Sequence, residues 1–164
     1  HTKAIAMNRI MKILVMCATT VTLGYIAGTV TQTSVETWYP TLNKPSFTPP
    51  NAVFPIAWTT LYILMGIAAG YVWARIDFEK ELVKKGLTFF AIQFALNMLW
   101  SYLFFGLKNP MIALVEIILL WLMIYETWFV FRKIEKIAGW LMIPYLLWVT
   151  YATALNAAIW YLNR

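Results

Sequence analysis

Apolar runs separated by short charged clusters set the pattern of this chain of 164 residues. None of the runs shows the alternation of apolar and polar residues, with a period of two, that a membrane barrel strand requires. Each run is long enough to form a helix that crosses about 30 Å of hydrocarbon, which takes about 20 residues. The pattern therefore predicts an all-α membrane protein, a five-transmembrane-helix bundle with helices over residues 12–33, 54–75, 86–106, 110–131 and 137–162.

One connection, residues 31–54, is much longer than the others and joins the first two predicted helices. Loops of this length in compact proteins are usually either functional or disordered. Trp38 and Tyr39 argue against disorder, and the prolines stiffen the segment and exclude a regular helix. We therefore expect a structured loop, rich in proline and aromatic residues, that forms a lid over one end of the bundle.

The composition indicates that lipid, rather than water, surrounds the folded chain. Hydrophobic residues make up 62% of the chain and charged residues 12%, whereas soluble domains have about 45–50% and about 25%. A soluble protein of this size cannot bury that much apolar surface. Residues 1–6 are interpreted as the remnant of an added tag ahead of Met7, which leaves residues 7–164 as a single five-helix transmembrane domain.

The chain has one cysteine, Cys17, and one histidine, His1. These two residues cannot form a disulfide within the chain or a Cys/His metal cluster, so no metal site is expected. The sequence also has no Ser/His/Asp set and no glycine-rich phosphate loop of the kinds that soluble enzymes use.

The net charge of +6 points to membrane topology rather than to nucleic acid. The Lys and Arg residues lie between the apolar runs, where they act as topology signals, so no nucleic acid partner is expected. Ten of the 13 lie on the side of the bundle that holds the N-terminus. The chain is therefore predicted to be a multi-pass protein of a bacterial cell membrane, with its N-terminus in and its C-terminus out.

Indoles and polar side chains deep within the apolar runs need a role other than lipid contact. Spacings of three or four residues place them on one face of the second, third and fifth helices. If these faces converge, they form a mostly apolar pocket with a few polar groups, suited to a flat polycyclic ligand. Interfacial anchoring of the indoles and hydrogen bonding of the amides between helices remain structural alternatives. The residues concerned are Trp58 and Tyr62, then Asn97 and Trp100, then Tyr145, Trp148, Ala152 and Asn156.

Glu116 lies about two turns into the fourth predicted helix. A carboxylate at that depth is costly and is by default functional, although a protonated or hydrogen-bonded structural glutamate is the alternative. Glycines four residues apart, Gly24 with Gly28 and Gly66 with Gly70, are candidates for helix packing or for a dimer face.

Five motifs occur in order along the chain. They are W-Y-x-x-L-x-K-P-x-F-x-P-P in 38–50, W-x-x-L-Y-x-x-M-G in 58–66, L-N-x-x-W-x-x-x-F-F-G in 96–106, A-L-V-E in 113–116 and P-Y-x-x-W-x-x-x-A-x-x-L-N in 144–156. Together they resemble the TspO/MBR family, which comprises tryptophan-rich sensory proteins and the translocator protein or peripheral benzodiazepine receptor. The resemblance covers nearly the whole chain after Met7.

The resemblance implies a bacterial member of a family of five-helix bundles that bind porphyrins, including haem, in a pocket under the first loop. The chain is then a tetrapyrrole-binding membrane receptor or sensor without a cofactor, in which the porphyrin is the ligand or the substrate. The lipid bilayer is a further partner, and the resemblance implies a homodimer. The predicted ligand-binding residues are Trp38, Trp58, Tyr62, Asn97, Trp100, Glu116, Tyr145, Trp148, Ala152 and Asn156.

Two alternative functions remain open at this point. The resemblance also implies a light- and oxygen-dependent enzyme that degrades porphyrin, in which Trp58 and Trp148 are the catalytic residues. The other alternative is a transporter of porphyrin or small lipophilic molecules, with Glu116 as a proton-coupled group. The sequence lacks the paired repeats typical of many transporters.

Overall fold

The computed structural model describes residues 7–164, and these form five long helices. The predicted tag remnant, residues 1–6, lies outside the described residues. All five helices are long and apolar enough to cross a membrane, and the described residues contain no strand, which confirms the predicted five-helix bundle. The helices are α1 (Arg9–Thr37), α2 (Val53–Trp73), α3 (Lys80–Ser101), α4 (Pro110–Ile134) and α5 (Lys136–Asn163).

Local signals explain where several of these helices begin and end. Asn8 and Asn109 cap α1 and α4, since each side-chain oxygen accepts a hydrogen bond from the backbone N–H three residues on. Pro110 then occupies the first turn of α4, where a missing N–H costs nothing. Helix α3 begins at Lys80 rather than at the predicted residue 86, because hydropathy marks the edge of the hydrocarbon and not the end of the helix.

A π-helical turn, Tyr102–Gly106, follows α3 directly. It is closed by a hydrogen bond of 2.8 Å from the Leu107 N–H to the Tyr102 carbonyl. Such a turn inserts one extra residue and changes the direction of the side chains that follow. Phe104 is buried there and contacts the ring of Phe105 with the centroids 4.8 Å apart.

The helices form a ring in the order α1, α2, α5, α4 and α3, and the π-helical turn packs back against α1. The closest approach is between α1 and α2. A Cβ atom on Gly66 would lie 2.7 Å from the Cα atom of Cys17, and one on Gly70 would overlap Ile13. The two glycines of α2 are therefore used for packing within the chain.

Helix α1 is the least buried of the five, because its only buried residues are Thr20, Gly24 and Thr31. The Thr20 hydroxyl donates to the Tyr62 carbonyl at 2.7 Å, which ties α1 to α2 near the middle of the bundle. Gly28 has no atom within 4 Å of the position of a Cβ. Open space therefore lies beside α1 at this position.

The segment between α1 and α2 is ordered by contacts with α5, as predicted for a structured lid. The Asn43 N–H donates to Asn163 Oδ1 at 2.9 Å, and Asn163 Nδ2 donates to the Asn43 carbonyl at 2.8 Å. The Tyr151 hydroxyl donates to the Phe47 carbonyl at 2.5 Å. Lys44 Nζ donates to backbone carbonyls of the same loop, including that of Tyr39 at 3.0 Å. We call this end of the bundle the loop end.

Candidate functional site

A cavity of about 1150 Å³ lies under the loop, between α1, α2, α3 and α5. Pockets for drug-sized molecules have volumes of about 300–1,000 Å³ and are mostly apolar with a few placed polar groups. The wall of this cavity follows that pattern. It is built largely from aromatic rings and small apolar side chains, so the cavity suits a ligand that is large and mainly hydrophobic.

Three indoles from three different helices line the cavity: Trp58 of α2, Trp100 of α3 and Trp148 of α5. The rings of Trp58 and Trp148 meet edge to face, with centroids 6.3 Å apart and an interplanar angle of 88°. Tyr62 stacks on Trp58 at 5.8 Å. Because each indole is held by its aromatic neighbours, the wall presents preformed flat surfaces on which a conjugated ring can stack.

A chain of buried hydrogen bonds fixes the floor of the cavity. The Tyr62 hydroxyl donates to Asn97 Oδ1 at 3.0 Å, and Asn97 Nδ2 donates to the Tyr145 hydroxyl at 2.7 Å. The Tyr145 hydroxyl in turn donates to Gln93 Oε1 at 2.6 Å. The network joins α2, α3 and α5, so the amide of Asn97 connects helices as well as lining the cavity.

Asn156 has a similar double role nearer the loop. Its Oδ1 accepts from Trp100 Nε1 at 2.9 Å, and its Nδ2 donates to the Pro110 carbonyl at 2.8 Å. The first bond fixes the plane of the Trp100 indole, and the second connects α5 to the start of α4. Asn156 thus orients one of the three indoles.

Seven of the predicted ligand-binding residues line this cavity, and three do not. Trp38 packs behind the wall, with its ring edge against Phe104 at 5.7 Å. Tyr145 is fully buried beneath the floor, and Glu116 is 6% exposed on α4, a helix that contributes no residue to the wall. These three predicted ligand-binding residues therefore lie outside the wall of this cavity. The seven that line it are Trp58, Tyr62, Asn97, Trp100, Trp148, Ala152 and Asn156.

The physical reason differs among the three residues. Glu116 lies on α4, which stands behind α3 and α5 in the ring. The Tyr145 hydroxyl is already bonded to two amides. Neither carboxylate oxygen of Glu116 has a hydrogen-bond partner among the described residues. Trp38 follows α1 directly, so it points to the π-helical turn rather than inward.

A whole wall of the cavity was missed by the sequence analysis, namely one face of α1. Its residues Tyr25, Thr29, Gln32 and Glu36 recur at spacings of four, three and four, the rule that identified the other faces. Glu36 accepts a hydrogen bond from Gln32 Nε2 at 2.8 Å. Further aromatic residues from the loop and the helix ends were missed as well: Tyr39, Phe54, Phe104, Phe105 and Tyr151.

Glu36 is the one charged side chain among the wall residues, and no Lys or Arg of residues 7–164 lines the cavity. The Nε1 atom of Trp148 and the hydroxyl of Tyr39 are buried without a hydrogen-bond partner among the described residues. The wall is therefore mainly apolar and carries a single acidic group, Glu36, near the loop. The wall thus offers ring contacts and apolar surface, and no cationic side chain of residues 7–164 for an ion pair.

Comparison with known proteins gives a consistent result. Residues 15–162 match the TspO/MBR family. The chain is 45% identical over 126 residues to protein CrtK of Rhodobacter capsulatus, which covers 77% of this chain and 78% of that protein. It is 40% identical over 158 residues to the tryptophan-rich protein TspO of Chlorobaculum tepidum, covering 96% and 99%. The translocator protein of Homo sapiens is 36% identical over 125 residues, covering 75% and 73%.

Proposed function

Because this chain belongs to the TspO/MBR family of multi-pass membrane proteins, we propose that it is a membrane receptor or sensor that binds a tetrapyrrole in the cavity under the loop. The observation that carries the proposal is the meeting of three indoles from three helices in one space of about 1150 Å³. That volume exceeds the usual range for drug-sized ligands, about 300–1,000 Å³. A porphyrin is a planar conjugated ring and matches both the size and the surface.

The binding mode follows from the side chains present. The only histidine of the sequence is His1, so residues 7–164 offer no imidazole to a ligand in the cavity, and stacking and hydrophobic burial supply the affinity. Aromatic pairs contribute about 0.5–1.5 kcal/mol each beyond the area that they bury. We therefore expect metal-free protoporphyrin IX to bind about as tightly as haem.

The direct test is a titration of the purified protein with protoporphyrin IX, followed by quenching of tryptophan fluorescence. Trp58→Phe and Trp148→Phe are expected to lower the affinity about threefold to tenfold each, since each removes part of a stacking surface. Trp140→Phe is the matched control, because Trp140 is 73% exposed and lies outside the cavity. Absence of saturable binding, or equal effects of all three substitutions, would contradict the proposal.

A second candidate function is light- and oxygen-dependent breakdown of the bound porphyrin. The observation in its favour is the edge-to-face contact of Trp58 and Trp148 in the cavity wall, with centroids 6.3 Å apart. Two neighbouring indoles can donate an electron to a photoexcited macrocycle and share the resulting charge. Illumination of the complex in air should then bleach the Soret band faster than for free porphyrin. A rate unchanged in Trp58→Phe combined with Trp148→Phe would exclude this activity.

A further inference from the structure

A second pocket lies at the opposite end of the bundle, which we call the basic end, where α1 begins and α2 ends. Its volume is about 370 Å³, and it is lined by Arg9 and Lys12 of α1, by Tyr71 of α2 and by Arg75 in the turn that follows α2. Three cationic side chains thus surround one recess at the end of the bundle. None of these four residues lines the cavity at the loop end.

Two of the three cations of this pocket, Arg9 and Lys12, form no ion pair within residues 7–164. Asp77 and Glu135 also line the pocket, but the one ion pair found within residues 7–164 joins Arg75 to Glu79. Its N···O distance of 3.8 Å is too long for a hydrogen bond. Arg75 Nε is buried without a hydrogen-bond partner in the part of the chain that the structure describes. The pocket therefore retains unsatisfied cationic donors.

Aromatic rings lie next to two of the cations in this pocket. The guanidinium carbon of Arg9 lies 5.4 Å from the centroid of the Tyr71 ring, and Lys12 Nζ lies 5.5 Å from that of Trp73. Tyrosine and tryptophan prefer the interface between hydrocarbon and water. A cation over such a ring keeps its charge and part of its hydrogen-bonding capacity for another partner.

The surface beside the pocket is apolar and faces outward. Ile10, Met11 and Leu14 of α1 are 67%, 50% and 61% exposed, and Phe78 in the pocket wall is 74% exposed. A ligand that fits both surfaces has a negatively charged head and hydrocarbon chains. Basic pockets between transmembrane helices are suited to the headgroups of anionic lipids.

We propose that this pocket is a binding site for an anionic phospholipid, with the phosphate held by Arg9, Lys12 and Arg75 and the acyl chains lying along the exposed face of α1. The site is independent of the cavity at the loop end and of whatever that cavity binds. It selects phosphatidylglycerol over phosphatidylcholine, because the choline group brings a positive charge next to the three cations.

The test is native mass spectrometry of the full chain, released from detergent with phosphatidylglycerol or phosphatidylcholine of identical acyl chains. We expect retention of phosphatidylglycerol to be at least tenfold stronger. The double substitution Arg9→Gln and Lys12→Gln should reduce the retention of phosphatidylglycerol about tenfold or more. Each charge near a headgroup contributes a factor of roughly five. Asp77→Asn should instead strengthen it, because it removes a negative charge from the pocket wall.

The matched control is Lys80→Gln with Lys84→Gln, which removes two exposed cations from the same end of the bundle but outside the pocket. Retention of phosphatidylglycerol by this control variant should change less than twofold. Equal retention of the two lipids, or equal losses in the pocket and control variants, would overturn the proposal. Competition by millimolar inorganic phosphate as strong as that by the lipid would identify a free-anion site and also overturn it.

Discussion

The two ends of the bundle both hold pockets built with aromatic residues, but they use the rings in opposite ways. At the loop end most rings of the cavity wall contact one another, as Trp58 and Trp148 do at 6.3 Å. No Lys or Arg of residues 7–164 lines that cavity, and the one nearby cation, Lys44, lies over Tyr39 with its Nζ also bonded to loop carbonyls. At the basic end each ring supports a cation, as Tyr71 does for Arg9. The comparison teaches that what an aromatic ring packs against, another ring or a cation, decides what kind of ligand a pocket accepts.

The largest effect is expected from filling the cavity at the loop end. Gly28 lines it and faces open space, so Gly28→Phe can fold while occupying the position of the ligand. We expect the affinity for protoporphyrin IX to fall about a hundredfold, since overpacking costs about 1–3 kcal/mol and 1.4 kcal/mol is a factor of ten. Fluorescence titration measures it.

The control for this variant is Gly66→Ala, whose new Cβ would lie 2.7 Å from the backbone of Cys17. It should lower thermal stability instead of blocking an otherwise intact site. Lipid retention at the basic end should stay unchanged in Gly28→Phe. Wild-type porphyrin affinity in this variant would mean that the ligand binds elsewhere.

The next largest effect concerns the buried network, which has no counterpart at the basic end. Asn97→Leu leaves the hydroxyls of Tyr62 and Tyr145 without their shared partner. We expect a loss of about 1–3 kcal/mol in stability, the cost of stranding buried polar groups. Thermal unfolding in detergent measures it. Thr150→Val, which removes the exposed bond from Trp121 Nε1, should cost clearly less, and equal losses would show that the network adds nothing.

A smaller effect is expected from loosening the lid. Asn163→Ala removes two hydrogen bonds to the backbone of Asn43, each with a net value of about 0.5–1.5 kcal/mol. We expect the bound porphyrin to dissociate about threefold to tenfold faster in stopped-flow measurements. Asn8→Ala is the comparison at the other end, since it removes the cap of α1. An equal acceleration in that variant would show that the lid does not retain the ligand.

The smallest effect tests the single charge in the cavity wall. Glu36 is exposed near the loop, so its repulsion of the propionates of protoporphyrin IX is screened by water. Glu36→Gln should therefore tighten binding of the diacid only about twofold to threefold, within the roughly 0–1 kcal/mol typical of exposed charges. Binding of the dimethyl ester should not change. A stronger effect on the ester than on the diacid would contradict a role for charge.

Most of the fold follows from the sequence, because lipid imposes one rule on every span. An apolar run of about 20 residues must be a helix, since its backbone has no other partner in hydrocarbon. The shared face of the indoles at Trp58, Trp100 and Trp148 with their polar neighbours could also be predicted, because once a run is a helix the spacing of its residues defines a face. The order of the helices around the ring could not be predicted, because it depends on contacts between segments that the spacing within one segment does not encode.

That limitation explains the differences at individual positions. Glu116 is buried but does not line the cavity, since α4 stands on the far side of the ring. The face of α1 that carries Tyr25 and Gln32 was overlooked because its threonine and glutamine are uncharged residues within an apolar run. Its one carboxylate, Glu36, lies beyond the predicted end of the helix at residue 33. Trp38 was predicted to bind the ligand from a sequence motif and not from helix geometry, and a motif does not give the direction of a side chain.

The π-helical turn at Tyr102–Gly106 has a consequence for how this site can be altered. A π-helical turn holds one residue more than the α-helix needs, so the helix can lose a residue there and still close its ladder. A deletion of Leu103 would restore regular winding and rotate Phe104 and Phe105, which are both part of the cavity wall. The shape of the site is thus controlled at this point by the length of the chain as well as by the identity of its side chains.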